Sequence, residues 1–256
     1  MAFIESISRW MHVFVGVIWI GHLYFFNFVN GAFAATLDAE TKKKVVPELM
    51  PRALFWFRWG ALWTWVTGVL LLMMVFYHSE VVFNEHGEWS LPTFVMIAFT
   101  FLGVFVYDAL LKKLGHTKPF IIAGFVVSGI ALVLMSTWAN FSYRGANIHY
   151  AAMFGTIMAF NVWFRIWPAQ QKIITAVKNG QKPEDAWVST AGVRSRHNTY
   201  LSVPLFWGMI NSHTTFFAGG NFYPESCAWI STLLITALGW HIVWQCYKKS
   251  AKVKGF

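Results

Sequence analysis

His149 and His213 stand near the same end of two successive apolar runs, each long enough to cross a bilayer and running in opposite directions. The connection between the runs is basic, with Lys172, Lys178, Lys182, Arg194 and Arg196. A third histidine, His12, begins the first apolar run of the chain. Neutral imidazole is the usual axial ligand for a b-type haem held between membrane helices, and ionisable groups inside a span are expensive enough to demand a function. His12, His149 and His213 are therefore expected as ligands of a haem iron, with the pairing left open. His22, about 15 Å further along the first helix than His12, suggests a second and deeper haem, partnered by His241. Ten residues also turn a helix to a phase about 80° away, so His12 and His22 do not share one face. One or two haems b are expected.

Other polar residues within the apolar runs are Arg58, Asp108, Asn161 and Arg165. Near a span end an arginine can snorkel to the headgroups. A sharper role for Arg58 or Arg165 is to pair with Asp108 or with an acidic ligand such as a haem propionate. At the basic mouth of the sixth run, His197, Asn198 and Tyr200 beside Arg194 and Arg196 form a candidate catalytic group for an anionic small molecule.

These residues need helices to hold them. The 256 residues are 57% hydrophobic and only 12% charged, about half the charge of a soluble domain. Mean hydropathy is +0.49. The expected fold is an all-α integral membrane bundle of about seven transmembrane helices in a single domain. The spans fall at 9–35, 52–78, 91–111, 119–139, 148–168, 199–218 and 224–247. Residues Ala169–Asn179 continue the fifth span as a helical extension, stopped by Gly180 and Pro183. Lysines and arginines collect in alternate connections and in the tail with Lys248, Lys249, Lys252 and Lys254, whereas the second connection carries Glu80, Glu85 and Glu88. The positive-inside rule then sets the N-terminus outside and the C-terminus in the cytoplasm. The net charge of +9 speaks for a membrane surface and membrane lipid, and no basic stripe tracks a nucleic acid. Gly16, Gly21, Gly60, Gly68 and Gly155 are expected to let helices pack closely. Cys227 and Cys246, separated by about 28 Å of helix, cannot bridge, and without a C-x-x-C-H there is no covalent c-type haem.

Four segments carry a family resemblance: RWMHVFVGVIWIG, LFWFRWGALWTWVTGVLL, GTIMAFNVWFRIWPAQQ and RSRHNTYLSVPLFWGMINSH. With them the chain resembles the N-terminal membrane domain of the membrane-bound, cytochrome-c-linked urate oxidases. The resemblance implies a seven- or eight-helix core in the bacterial cytoplasmic membrane that feeds electrons to a c-type cytochrome. Onto matching positions it carries His12 of R-W-x-H, His149 ahead of the GTIM run, His197 of H-N-x-Y and His213 of N-S-H. The chain departs from the family where Val-His-Gly-Gly-Gly-Phe-Tyr is usual, reading NGAFAATLDAETKKKVVPELMP instead, and has Gly60 where an acidic residue is usual. It ends at Phe256 after a basic tail, so the electron acceptor is expected to be a separate periplasmic c-type cytochrome or a respiratory complex. The leading expectation is a haem b redox protein. The alternatives are an oxidase acting itself on urate or another small molecule, and a cofactor-free respiratory subunit or transporter.

Overall fold

The computed structural model describes residues 2–214, 216–218, 224 and 227–253. Among them seven continuous helices account for nearly all regular structure: α1 (Ala2–Thr36), α2 (Ala39–Tyr77), α3 (Leu91–Leu114), α4 (Lys118–Thr137), α5 (143–178), α6 (Asp185–Asn211) and α7 (Trp229–Ser250). The only other pairing among the described residues is an isolated bridge between Phe83 and Phe141. The helical architecture expected from hydropathy is therefore present. α1 to α4 are long and apolar enough to cross a membrane. α5 to α7 fall outside that group because they carry the buried polar side chains, among them Asn147, His149, Asn161, Arg194, Asn198 and Thr236.

Several boundaries differ from the hydropathy reading, those of α2 and α6 most. α2 begins at Ala39, so Lys42, Lys43 and Lys44 lie on a helix and not in a loop. Its start is set by Asp38, whose carboxylate accepts from the Thr41 N–H and the Thr41 hydroxyl, each at 2.9 Å. α6 runs Asp185–Asn211, beginning well before the apolar window at 199 and ending before His213. Asp185 in its first turn suits the positive end of the helix dipole, and an apolar window cannot register a helix that starts on polar residues. Residue 215 of the expected sixth span, residues 225 and 226 of the seventh, and Lys254 lie outside the described residues. The extension of α5 through Lys178 is present, and it ends at Gly180 with φ +70° and a Gln181 N–H donated to the Ala176 carbonyl at 2.8 Å.

Among the described residues three π-helical segments interrupt the α-helical ladder: Phe25–Asn30 in α1, Leu72–Tyr77 at the end of α2 and Val162–Ile166 within α5. Such segments shift the phase of the side chains that follow and recur at functional sites.

The chain clusters into two compact units. The first comprises residues 1–5, 68–157 and 201–240 and packs around Met96, Leu132, Met135, Tyr150 and Phe154. In it the 78–90 connection is folded onto the start of α5. Ser142 donates its N–H to the Val82 carbonyl at 2.8 Å and its hydroxyl to the Val81 carbonyl at 2.9 Å, while the same oxygen caps the Gly145 N–H at 2.9 Å. Arg144 Nε donates to the Ser212 carbonyl at 2.6 Å. The second unit comprises residues 6–67, 158–200 and 241–256 and packs around Trp19, Leu23, Phe57, Met158 and Val162. There Gly60 is a true close approach, since a Cβ at that position would stand 3.0 Å from the Trp19 backbone nitrogen. Gly21, by contrast, meets no heavy atom within 4 Å, so it plays no part in tight packing.

Candidate functional site

Hydrogen bonding fixes which nitrogen of each key imidazole carries the proton. His149, fully buried in α5, places Nδ1 2.7 Å from the Gly145 carbonyl one turn earlier. A carbonyl only accepts, so Nδ1 holds the hydrogen, and Nε2 accepts from the Tyr77 hydroxyl at 2.9 Å. The ring is also enclosed by aromatics, with Phe141 at 4.7 Å and Tyr77 at 5.6 Å between centroids. Trp89 meets Tyr77 edge-on at 5.8 Å and Phe83 at 5.1 Å, extending that cover. Tyr77 ends the π-helical segment of α2, and the 78–90 connection that follows supplies Phe83 and Trp89.

His12 and His22 belong to the other unit and differ in one respect. His12 Nδ1 lies 3.1 Å from Thr67 Oγ1. That hydroxyl spends its own proton on the Trp63 carbonyl at 2.7 Å, so the imidazole donates through Nδ1 and Nε2 keeps its lone pair. His22 Nδ1 lies 2.7 Å from the Ile18 carbonyl and must likewise carry the hydrogen. Neither Nε2 is hydrogen-bonded to the protein among the described residues. A histidine ligand to a metal is characteristically held in this way, its far ring N–H tied to a carbonyl or hydroxyl and its lone pair directed outward. The donor chemistry of His12 and His22 therefore fits a haem iron. That of His149 fits only if the Tyr77 hydroxyl gives way. His213 lies in the turn after α6, exposed, its backbone N–H donated to the Ile210 carbonyl at 3.1 Å. It does not share the buried surroundings of His149. His241 is also exposed, and its Nε2 stands 3.1 Å from the Gln245 amide nitrogen, one helical turn on. Among the described residues no group of three or more His, Cys, Asp or Glu gathers to hold a bare metal ion.

The arginines separate in the same way. Arg58 lies over the Trp167 ring, 3.9 Å from its centroid, and has no ion pair among the described residues. It is not the partner of Asp108, which stands 3.1 Å from Lys112 one turn along α3. Arg165 packs on Phe160, 5.3 Å from its centroid, and donates to the Phe164 carbonyl at 3.3 Å. Arg194, only 6% exposed, donates to Asn161 Oδ1 at 3.1 Å. Asn161 donates in turn to Asn198 Oδ1 at 2.9 Å, and Asn198 to the Met158 carbonyl at 2.9 Å. The direction of the relay fixes both amide orientations. His197, on the same helix, is buried as well.

Tyr200 stacks on Tyr247, with centroids 5.9 Å apart and planes at 23°, and Arg196 stands 5.6 Å from the Tyr247 ring centroid. Tyr247 donates its hydroxyl to Asn27 Oδ1 at 2.8 Å, while Asn27 donates to Ser195 Oγ at 2.8 Å. Sequence reading missed Tyr247 and Asn27. Asn27 carried a usable signal, an amide within an otherwise apolar run FFNFVN, and that run is the π-helical segment of α1. Tyr247 reads as an ordinary interfacial aromatic until α7 is placed beside Asn27.

The family model for the urate oxidase N-terminal region matches residues 37–254, and the chain belongs to that family. The match takes in His149, His197 and His213 and begins beyond His12 and His22. No curated protein and no solved structure matches. The resemblance drawn from the GTIM and H-N-x-Y segments is thereby borne out at the level of the family.

Proposed function

We propose that this member of the urate oxidase N-terminal family is a b-type haem redox protein of the bacterial cytoplasmic membrane, passing electrons to a separate c-type cytochrome or respiratory complex. One observation carries the reading: two imidazoles on an apolar helix, each with Nδ1–H tied to the protein and Nε2 uncommitted. A haem bound through such a nitrogen supplies reversible one-electron chemistry. The chain's own residues select the tautomer, through Thr67 for His12 and the Ile18 carbonyl for His22, and hold both rings in a fixed orientation. About 15 Å of helix separates the two, so they serve different irons, and up to two haems per chain are expected. In this arrangement His149 holds α5 against the aromatic cover, and His213 is not a buried ligand. The positive-inside reading, N-terminus outside and C-terminus cytoplasmic, belongs to the same proposal.

A second reading has its own observation. Asn27, Ser195, Arg196, Tyr200 and Tyr247 form one polar and aromatic cluster with a cation at its edge, suited to a small anionic molecule. With His197 and Asn198 next to it in the chain, it would make the protein an oxidase in its own right, with urate the first compound to try.

Reduced-minus-oxidised spectra of the purified chain, with a pyridine haemochrome assay, test the first reading. A b-type signal at one or two haems per chain is expected, falling in His12→Ala and His22→Ala. A chain without a Soret band would overturn it and leave a cofactor-free subunit or transporter. Reduction of the protein by added urate would favour the oxidase.

A further inference from the structure

Arg58 is a cation within the apolar length of α2, and its surroundings are aromatic instead of acidic. Phe55 and Trp163 each stand 5.8 Å from its guanidinium carbon by centroid, and Trp167 only 3.9 Å. Trp163 also donates its indole N–H to the Arg58 carbonyl at 2.9 Å, which holds α2 and the π-helical segment of α5 in register at this point. Rings offset part of the cost of taking the charge out of water, but they accept no full hydrogen bond. Arg58 Nε is buried without an acceptor. The buried indole N–H of Trp59, whose ring meets Trp163 edge-on at 5.5 Å, has none either. A guanidinium with its Nε unpaired and an orphaned indole N–H beside it call for an acceptor with several oxygens. A guanidinium lying over a ring presents its N–H groups at its edges, the arrangement that takes up an oxyanion two-pronged.

The surface from which this box is reached identifies the source. Phe55 is 45% exposed and Trp56 54% exposed on a helix apolar enough to cross a membrane, so that face of α2 meets lipid. Arg58 lies six residues beyond Arg52, about 9 Å along the helix, a depth at which a side chain reaches the headgroups. The net charge of +9 favours an anionic lipid over a zwitterionic one.

We propose that Arg58, boxed by Phe55, Trp163 and Trp167, binds the phosphate of an anionic phospholipid headgroup as a specific structural lipid. The site is independent of the haem reading and stands or falls separately from it. The test is native mass spectrometry of the full chain released from detergent with added phosphatidylglycerol. The wild type is expected to retain one lipid more firmly than the rest, and Arg58→Gln to bind that lipid about tenfold more weakly, the loss of one charge-assisted contact. Trp167→Leu, which removes the platform and leaves the charge, is expected to fall between the two. Arg52→Gln, outside the box, is expected to match the wild type. If Arg58→Gln does not fold, as judged by helical circular dichroism, Trp167→Leu decides. Equal lipid retention in the wild type and the folded box variants would overturn the proposal. So would displacement of the lipid by inorganic phosphate at the same concentration, which would make this a soluble-phosphate site.

Discussion

Two kinds of imidazole occupy this chain, one sealed and one open. His149 has both ring nitrogens engaged, Nδ1 by the Gly145 carbonyl and Nε2 by the Tyr77 hydroxyl, and its faces are covered by Tyr77 and Phe141. His12 and His22 have the same Nδ1 arrangement and leave Nε2 uncommitted. All three are histidines in apolar helices, and residue type alone predicts the same role for each. What separates them is a single neighbouring hydroxyl, delivered by a π-helical segment at the end of α2. A buried imidazole with two good partners is a structural element, held by interactions worth about 1 kcal/mol each and costly to leave half-made. An imidazole with one partner and one free lone pair keeps the capacity to bind a metal.

The comparison breaks most severely at Gly145. A Cβ there would stand 2.2 Å from the Val82 carbonyl oxygen, so Gly145→Ala must displace either the 78–90 connection or the turn that pins His149. A loss of about 3 kcal/mol or more is expected, read as a lower thermal midpoint in detergent. Next comes a crossed pair. His149→Ala should cost about 3 kcal/mol of stability and leave haem content unchanged. His22→Ala should lower haem content with little change in the midpoint. Equal behaviour of the two variants would erase the distinction between sealed and open.

Tyr77→Phe keeps the ring and removes the hydroxyl that caps His149 Nε2. A buried acceptor left without its donor is expected to cost about 1–2 kcal/mol, again read as the thermal midpoint. The smallest effect lies outside the spans. The Thr41 N–H and hydroxyl hold the Asp38 carboxyl below its ordinary range. Its contribution to the start of α2 is therefore present above the ordinary carboxylate pKa and lost as pH falls through the lowered one. Helix content followed by circular dichroism down an acid titration should show this fraying, and Asp38→Asn should make that part of the curve flat.

Much of this was legible in the sequence because hydropathy is a local property. Apolar runs of the length needed to cross a bilayer become helices whatever their neighbours, which is why seven were counted and α1 to α4 have the length and apolarity of membrane spans. The extension of α5 and its stop at Gly180 were equally local, fixed by helical spacing and one residue able to adopt φ +70°. Gly180, Asp38 and the GTIM and H-N-x-Y segments each carry their meaning within a few residues. Membership of the urate oxidase N-terminal family follows from such segments together.

The roles of the polar residues were not legible, because they depend on partners far away in the chain. Tyr77 is 72 residues from the His149 it caps, Asn27 is 168 from Ser195, and Tyr247 is 220 from Asn27. Arg58 shows the same limit, since its aromatic box takes one ring from α2 and two from α5. His213 was placed within a span because a hydropathy window does not feel where α6 ends, at Asn211. Sequence by itself determined the helices, because burying apolar surface and satisfying backbone hydrogen bonds are decided within each segment. Only the tertiary structure decided which imidazole nitrogens are engaged and that Arg58 meets rings and no carboxylate among the described residues, because the partner of a polar group is whatever the fold brings to the other end.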